Sequence, residues 1–276
     1  MKLQYLGTAA AEGIPAIFCE CENCVKSRGA GGKNIRTRSQ ALIDDTILID
    51  LPPDTYMHFL TYSIPLSKIK SCLVTHSHQD HLYPEEIVMR KNGFSHIPNK
   101  EPLVFYSDKA GVDMINEIKK RGVPDEIAYA RLITPCEELD VEGYRVTPLR
   151  ATHDVYSSPV VFIIEKDGKS IFYSNDTSEY PEESMEYLKG LTKPLDLVSF
   201  DCTEACRDTT YAGHLCFNRC VALRDELIRI GAANEKTLFV LNHFSHNGKN
   251  VLYDDFKKIA AEKNFEVSFD GMIIEI

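Results

Sequence analysis

The 276-residue chain carries 31 Lys and Arg against 41 Asp and Glu, a formal charge of −10, with 43% hydrophobic and 26% charged residues. That is the balance of a soluble globular protein with enough chain to bury a core without disulfides. The acidic excess argues against a reader of nucleic-acid phosphates, which needs clustered Lys and Arg, and no apolar run approaches the roughly 18 residues of a membrane span. Neither a nucleic-acid polymer nor a membrane is expected as partner, and a homodimer is compatible with the composition. The opening MKLQYLGTAAAEGIP has no basic region followed by an apolar run, so no export signal is expected. Nine cysteines then read as thiols in a reducing compartment, with a cytoplasmic address.

In chain order, KLQYLG reads as a strand, and QALIDDTILID as a hairpin turning at Asp44-Asp45. SCLVTH is a short apolar strand that stops at a histidine cluster, and Tyr83-Pro84-Glu85-Glu86 carries the Pro and acids of a helix start. EPLVFYS, YRVTPLRATH, VVFIIE and SIFYSND are further strands, the last two joined by the turn residues Lys166-Asp167-Gly168. LDLVSFD and TLFVLNH are the continuous apolar runs of a sheet covered on both faces. FEVSF and MIIEI flank Asp270-Gly271 and suggest a last hairpin. Between them GVDMINEIKKRG, PEESMEYLKG, NRCVALRDELIRIG and YDDFKKIAAEKN read as helices. With no low-complexity linker, one α/β unit over residues 1–276 is expected.

The chemistry concentrates in Thr75-His76-Ser77-His78-Gln79-Asp80-His81. In extended chain, side chains alternate, so His76, His78 and Asp80 would share one side and His81 would join Asp80 at the turn. Imidazole and carboxylate are ligands for zinc and other first-row metals, and four such groups within six residues point to two ions. His153, Asp176 and His243 close three other strands, where sites gather in open α/β sheets. A second cluster, Cys19-Glu20-Cys21-Glu22-Asn23-Cys24, places three thiols in a loop before the first hairpin. Three thiolates can surround one zinc and leave one vertex open; His246, at an odd offset from His243, is the candidate fourth ligand.

The order H-x-H-x-D-H, His, Asp, His resembles the metallo-β-lactamase superfamily along the whole chain. The resemblance implies a four-layered αββα sandwich with His76, His78 and His153 on one divalent ion, Asp80, His81 and His243 on the other, and Asp176 bridging. It narrows further: Gly7-Thr8, the Cys19/Cys21/Cys24 loop, His243-Phe244-Ser245-His246 and Phe269-Asp270-Gly271-Met272 look like the PhnP-type phosphodiesterases, which act on cyclic phosphodiesters. By that likeness the thiols and His246 hold a structural zinc, and His214, in Ala212-Gly213-His214-Leu215, contacts phosphate and protonates the leaving oxygen. Asp80 and His214 are the expected catalytic residues. The active pair would be Zn, Mn or Fe, and the substrate a small phosphodiester. Thioester or lactone hydrolysis, and a non-catalytic role in cofactor biosynthesis, are the alternatives on the same fold. Leu48-Ile49-Asp50-Leu51-Pro52-Pro53 departs from the family's L-I-D-A-G, and residues 112–130 read as an insertion where substrate loops vary. Cys72, Cys136, Cys202, Cys206, Cys216 and Cys220 read as buried thiols, His58 and His96 as surface or helix-end residues, and Arg36 and Arg38 as solvated.

Overall fold

The computed structural model describes residues 1–98, 101–154, 157–209 and 212–276. One sheet contains β1 (Lys2–Gly7), β2 (Gln40–Ile43), β3 (Ile47–Ile49), β4 (Ser71–Leu73), β5 (Leu103–Ser107) and β6 (Ala128–Leu132). The other contains β7 (Leu139–Val141), β8 (Tyr144–Arg150), β9 (Val160–Lys166), β10 (Lys169–Ser174), β11 (Leu197–Asp201), β12 (Leu238–Asn242) and β13 (Glu266–Val267). A last strand, β14 (Ile273–Glu275), returns to pair with β1. The orders are β14-β1-β2-β3-β4-β5-β6 and β13-β12-β11-β10-β9-β8-β7. In each sheet four neighbouring strands are antiparallel, β14-β1-β2-β3 and β7-β8-β9-β10, and the strands beyond β3 and β10 continue in parallel. The two halves therefore share one topology, although the sequence shows no repeat.

Residue parity explains the layers. Ile47 and Ile49 face the opposite sheet, where they meet Phe162, Ile164, Ile171 and Tyr173. Leu48, between them, faces outward with Cys72 and Phe105 toward Ile115 and Ile118, which lie on α3; Val161, Ile163 and Phe172 do the same on the second sheet. The helices are α1 (Glu22–Ala30), α2 (Thr55–Tyr62), α3 (Lys109–Lys119), α4 (Glu182–Lys189), α5 (Phe217–Arg229) and α6 (Tyr253–Ala261). Leu188 of α4, Leu223 and Leu227 of α5 and Phe256 of α6 cover the second sheet. Helix, sheet, sheet, helix is the αββα sandwich expected. Among the described residues no helix is long and apolar enough to cross a membrane.

Several expectations fail for physical reasons. FEVSF and MIIEI do not form a hairpin: β13 pairs with β12 and β14 with β1, so Asp270-Gly271 carries the chain from one sheet to the other. The segment after Tyr83 is a 3-10 helix, Pro84–Arg90. Residues 112–130, read as an insertion, supply most of α3 and the start of the edge strand β6. The thiol loop is partly helical, with Cys21 capping α1 and Cys24 inside it. His58 is buried on the inner side of α2, 2.6 Å from both Thr37 Oγ1 and Gln40 Oε1. Arg36 is also buried, donating to Thr8 Oγ1 at 2.8 Å and to Ser268 O at 2.7 Å.

Arg36 belongs to a network that gives the terminal motifs a structural meaning. Thr8 donates to Asp270 Oδ1 at 2.6 Å, and Asp270 Oδ2 accepts from Thr37 N, also at 2.6 Å. Gly271, at φ +90°, donates to Tyr5 O at 2.7 Å. Gly7 lies so close to the neighbouring chain that a Cβ there would sit 2.0 Å from Arg38 O. Gly29, in α1, has open space around it. Gly7→Ala should therefore lower stability by about 3 kcal/mol through overpacking, while Gly29→Ala should raise it by about 0.5–1 kcal/mol by restricting the unfolded chain. Urea unfolding of the two variants checks both signs.

Candidate metal centre

The chain turns at strand C-termini, and there the polar side chains converge. His76–His81 follow β4, His153 follows β8, Asp176 follows β10 and His243 follows β12. Asp176 and His243 have φ of 52° and 63°, and Asp50, after β3, has 66°. Left-handed backbone is uncommon for residues with a Cβ, and here it aims three side chains back over the strand ends. The alternation expected across residues 76–80 does not occur. His81 N and Leu82 N both donate to His78 O, at 2.9 and 2.8 Å, and this turn separates His76 and His78 from Asp80 and His81.

Two sets of ligand atoms result. His76 Nε2 and His153 Nε2 lie 2.9 and 3.2 Å from His78 Nδ1. His81 Nε2 lies 3.1 Å from Asp80 Oδ2, and His243 joins that pair. Asp176 stands between the sets: Oδ2 is 3.0 Å from both His81 Nε2 and His243 Nε2, and Oδ1 is 3.6 Å from His153 Nε2. Donors around a tetrahedral zinc, at 2.0–2.1 Å from it, are about 3.3 Å apart. All seven residues singled out as active-site ligands are thus gathered, in two groups that could hold ions.

The protonation pattern fits cations. His81 Nδ1 is taken by Asp50 Oδ2 at 2.7 Å, His243 Nδ1 by Thr203 Oγ1 at 2.8 Å, and His153 Nδ1 by Gly213 O at 3.0 Å. Each ring is thereby held with Nε2 turned toward the centre. His81 Nε2, His243 Nε2 and Asp176 Oδ2 are buried without a hydrogen bond, an arrangement that costs free energy unless a cation matches it. Burial holds His76 well below the usual histidine range, as a neutral ligand must be. Burial would raise Asp176, but the charge of His243 and His81 outweighs it and keeps the carboxylate ionised. Burial would likewise lower His81, but Asp176, Asp80 and Asp50 together raise it. In the absence of a metal the carboxylates are thus matched by an imidazolium whose place a cation would take.

Asp201 at the end of β11 and Asp50 were not singled out as site residues. Asp201 Oδ2 accepts from His214 Nδ1 at 2.8 Å and from Asp176 N at 3.1 Å; Oδ1 accepts from Thr203 N at 3.0 Å and Leu215 N at 3.1 Å. Both oxygens are thus engaged and orient these neighbours, and the carboxylate also lies in a group with Asp176, His214 and His243 that could hold an ion. Burial lowers the His214 pKa, but the Asp201 carboxylate overrides this and raises it to about 9. His214 lines a cleft of about 310 Å³ with His78, Asp80, His153, Glu12 and Asn247, space for a small molecule. The signal for Asp50 and Asp201 was present in the sequence, since both are acids at strand ends.

The thiols and His246 also meet. His246 Nδ1 is 3.5 Å from Cys19 Sγ and 3.4 Å from Cys21 Sγ, and Cys24 completes a group that could hold one ion. The His246 contact lowers the Cys21 thiol to about 6.

Comparison with known proteins agrees with this fold. The beta-lactamase superfamily domain matches residues 45–244. The whole chain is 26% identical to coenzyme PQQ synthesis protein B of Acinetobacter baylyi, covering 100% of both proteins. A structure described as a new diphosphatase from the PhnP family superposes with a TM-score of 0.76 at 20% identity, covering 100% of this chain and 97% of that one. Zinc-bound PqqB from Methylobacterium extorquens does so with a TM-score of 0.72 at 18% identity, covering both chains fully. At these identities the solved structures attest the fold. By the extent of the domain match, this chain belongs to the beta-lactamase superfamily, in its metallo-β-lactamase fold.

Proposed function

We propose that this protein is a dinuclear metal-dependent hydrolase of small phosphodiesters. The observation that carries the reading is Asp176, with one oxygen toward His153 and the other toward His81 and His243. His76, His78 and His153 would hold one divalent ion, Asp80, His81 and His243 the other, with Asp176 placed to serve both. The nitrogen and carboxylate donor set suits Zn, Mn or Fe. When bound, such ions activate water and neutralise phosphoryl charge. Cys19, Cys21, Cys24 and His246 would hold a separate structural zinc.

The remaining chemistry belongs to the side chains. Asp50 and Thr203 keep the Nδ1 protons of His81 and His243 in place, so neither ring can turn its lone pair away. The Asp201 carboxylate favours the charged form of His214, so with Nδ1–H resting on Asp201 the ring's Nε2–H would supply the proton to the leaving oxygen. An alkoxide leaves poorly without a proton, whereas a thiolate does not need one. The His214–Asp201 pair therefore supports phosphodiester over thioester cleavage. Likeness to the PhnP-family diphosphatase supports a phosphoryl over a lactone substrate. A second reading, a role in cofactor biosynthesis without turnover, draws on the full-length similarity to coenzyme PQQ synthesis protein B. Turnover of any phosphodiester in a panel of cyclic and linear esters excludes it.

Two variants test the assignments. Asp176→Ala should lose both active-site ions and activity together, measured by elemental analysis beside the rate; retention of two ions contradicts the shared carboxylate. His214→Ala should keep its metals and slow a cyclic alkyl phosphodiester by about 10²–10⁴-fold. On a p-nitrophenyl ester, whose phenolate leaves without a proton, the loss should be far smaller. Equal losses on the two substrates would make His214 a binding residue.

A further inference from the structure

His246 faces the thiols through Nδ1, and its other nitrogen, Nε2, lies 3.5 Å from Glu12 Oε1. The same oxygen accepts from Ser245 Oγ at 2.5 Å and from Asn247 Nδ2 at 3.4 Å. One carboxylate oxygen thus gathers three consecutive residues that begin two positions after the ligand His243. From the other side, Asn23 of α1 donates to His246 O at 2.8 Å and to Gly248 O at 2.9 Å. Ser245 N is itself tied to Thr203 O at 3.0 Å, on the residue whose hydroxyl holds His243. The segment from His243 to Gly248 is therefore a strap between the two candidate metal sites, and Glu12, which also lines the cleft, is its acidic clasp.

A ligating imidazole needs an acceptor for its second nitrogen, which sets the tautomer and raises the basicity of the first. We propose that Glu12 is the positioning residue that does this for His246. It keeps the proton on Nε2 and the Nδ1 lone pair toward Cys19 and Cys21, and thereby sets the affinity of the thiol cluster for zinc. The inference rests on the reading of that cluster as a zinc site and extends it to a residue outside the ligand set. The hydrogen bonds from Ser245 and Asn247, on either side of His246, fix this oxygen within 3.5 Å of His246 Nε2.

The test uses the purified holoprotein, Glu12→Ala, Glu12→Gln and, as reference, Cys21→Ser. The affinity of the zinc that Cys21→Ser releases is measured by competition with a chromogenic chelator, and the visible spectrum is recorded after exchange of that zinc for Co2+. Glu12→Ala should weaken zinc by about 10–100-fold and shift the cobalt bands, with little change in the melting temperature of the zinc-saturated protein. Glu12→Gln keeps an acceptor oxygen without the charge and should lose only several-fold. Zinc affinity and cobalt spectrum both unchanged in Glu12→Ala would overturn the proposal. Should Glu12→Ala fail to fold, Glu12→Gln decides: several-fold weakening supports the role, and wild-type affinity overturns it. If Cys21→Ser leaves the zinc content unchanged, the failure lies in the zinc reading itself, and the role of Glu12 falls with it.

Discussion

The structure is organised around one buried carboxylate. Asp176 is 3% exposed, and an ionised group so placed must be matched by charge or by hydrogen bonds. Its own N–H is fixed by Asp201 at 3.1 Å, its backbone is left-handed, and its two oxygens face different sets of imidazoles. The second sheet supplies Asp176, His153 and His243, while the histidine turn comes from the first. The centre is therefore complete only when the apolar inner faces of both sheets have closed on each other. Packing and chemistry share one requirement.

The shared topology of the halves adds a second layer. Asp50 follows β3 and Asp176 follows β10, the two strands at which each sheet changes from antiparallel to parallel pairing. Both residues adopt positive φ. The two acids differ in task. Asp176 reaches the centre directly, whereas Asp50 stands behind His81 and also accepts from Thr75 N at 2.8 Å. Asp201 plays the corresponding supporting part for His214. Two buried carboxylates, Asp50 and Asp201, thus hold the imidazoles of His81 and His214 in place.

Much of the centre is legible in the amino-acid sequence. The His76–His81 run is local, so its meaning survives without knowledge of the fold, and each distant ligand ends an apolar run that marks a strand. The hairpins at Asp44-Asp45 and Asp167-Gly168 are equally local, because positive φ at the turn residues decides them. Asp270-Gly271 carries the same turn chemistry yet links two sheets; strand pairing there is decided by β12 and β1, which lie far away in sequence. His58 and Arg36 look solvated in sequence, since nothing nearby announces partners such as Gln40 or Ser268. α1 is hidden for a different reason: it lacks an apolar stripe and is held by its cysteines and by Asn23. Glu12 is legible only in three dimensions, 233 residues from Ser245.

The most direct measurement is anomalous X-ray diffraction from crystals of the protein as purified, collected across the absorption edges of zinc, manganese and iron. The account predicts two anomalous peaks about 3.5–4 Å apart, one against His76, His78 and His153 and one against Asp80, His81 and His243, with Asp176 touching both. A single peak, or two peaks with Asp176 bound to only one of them, would contradict it.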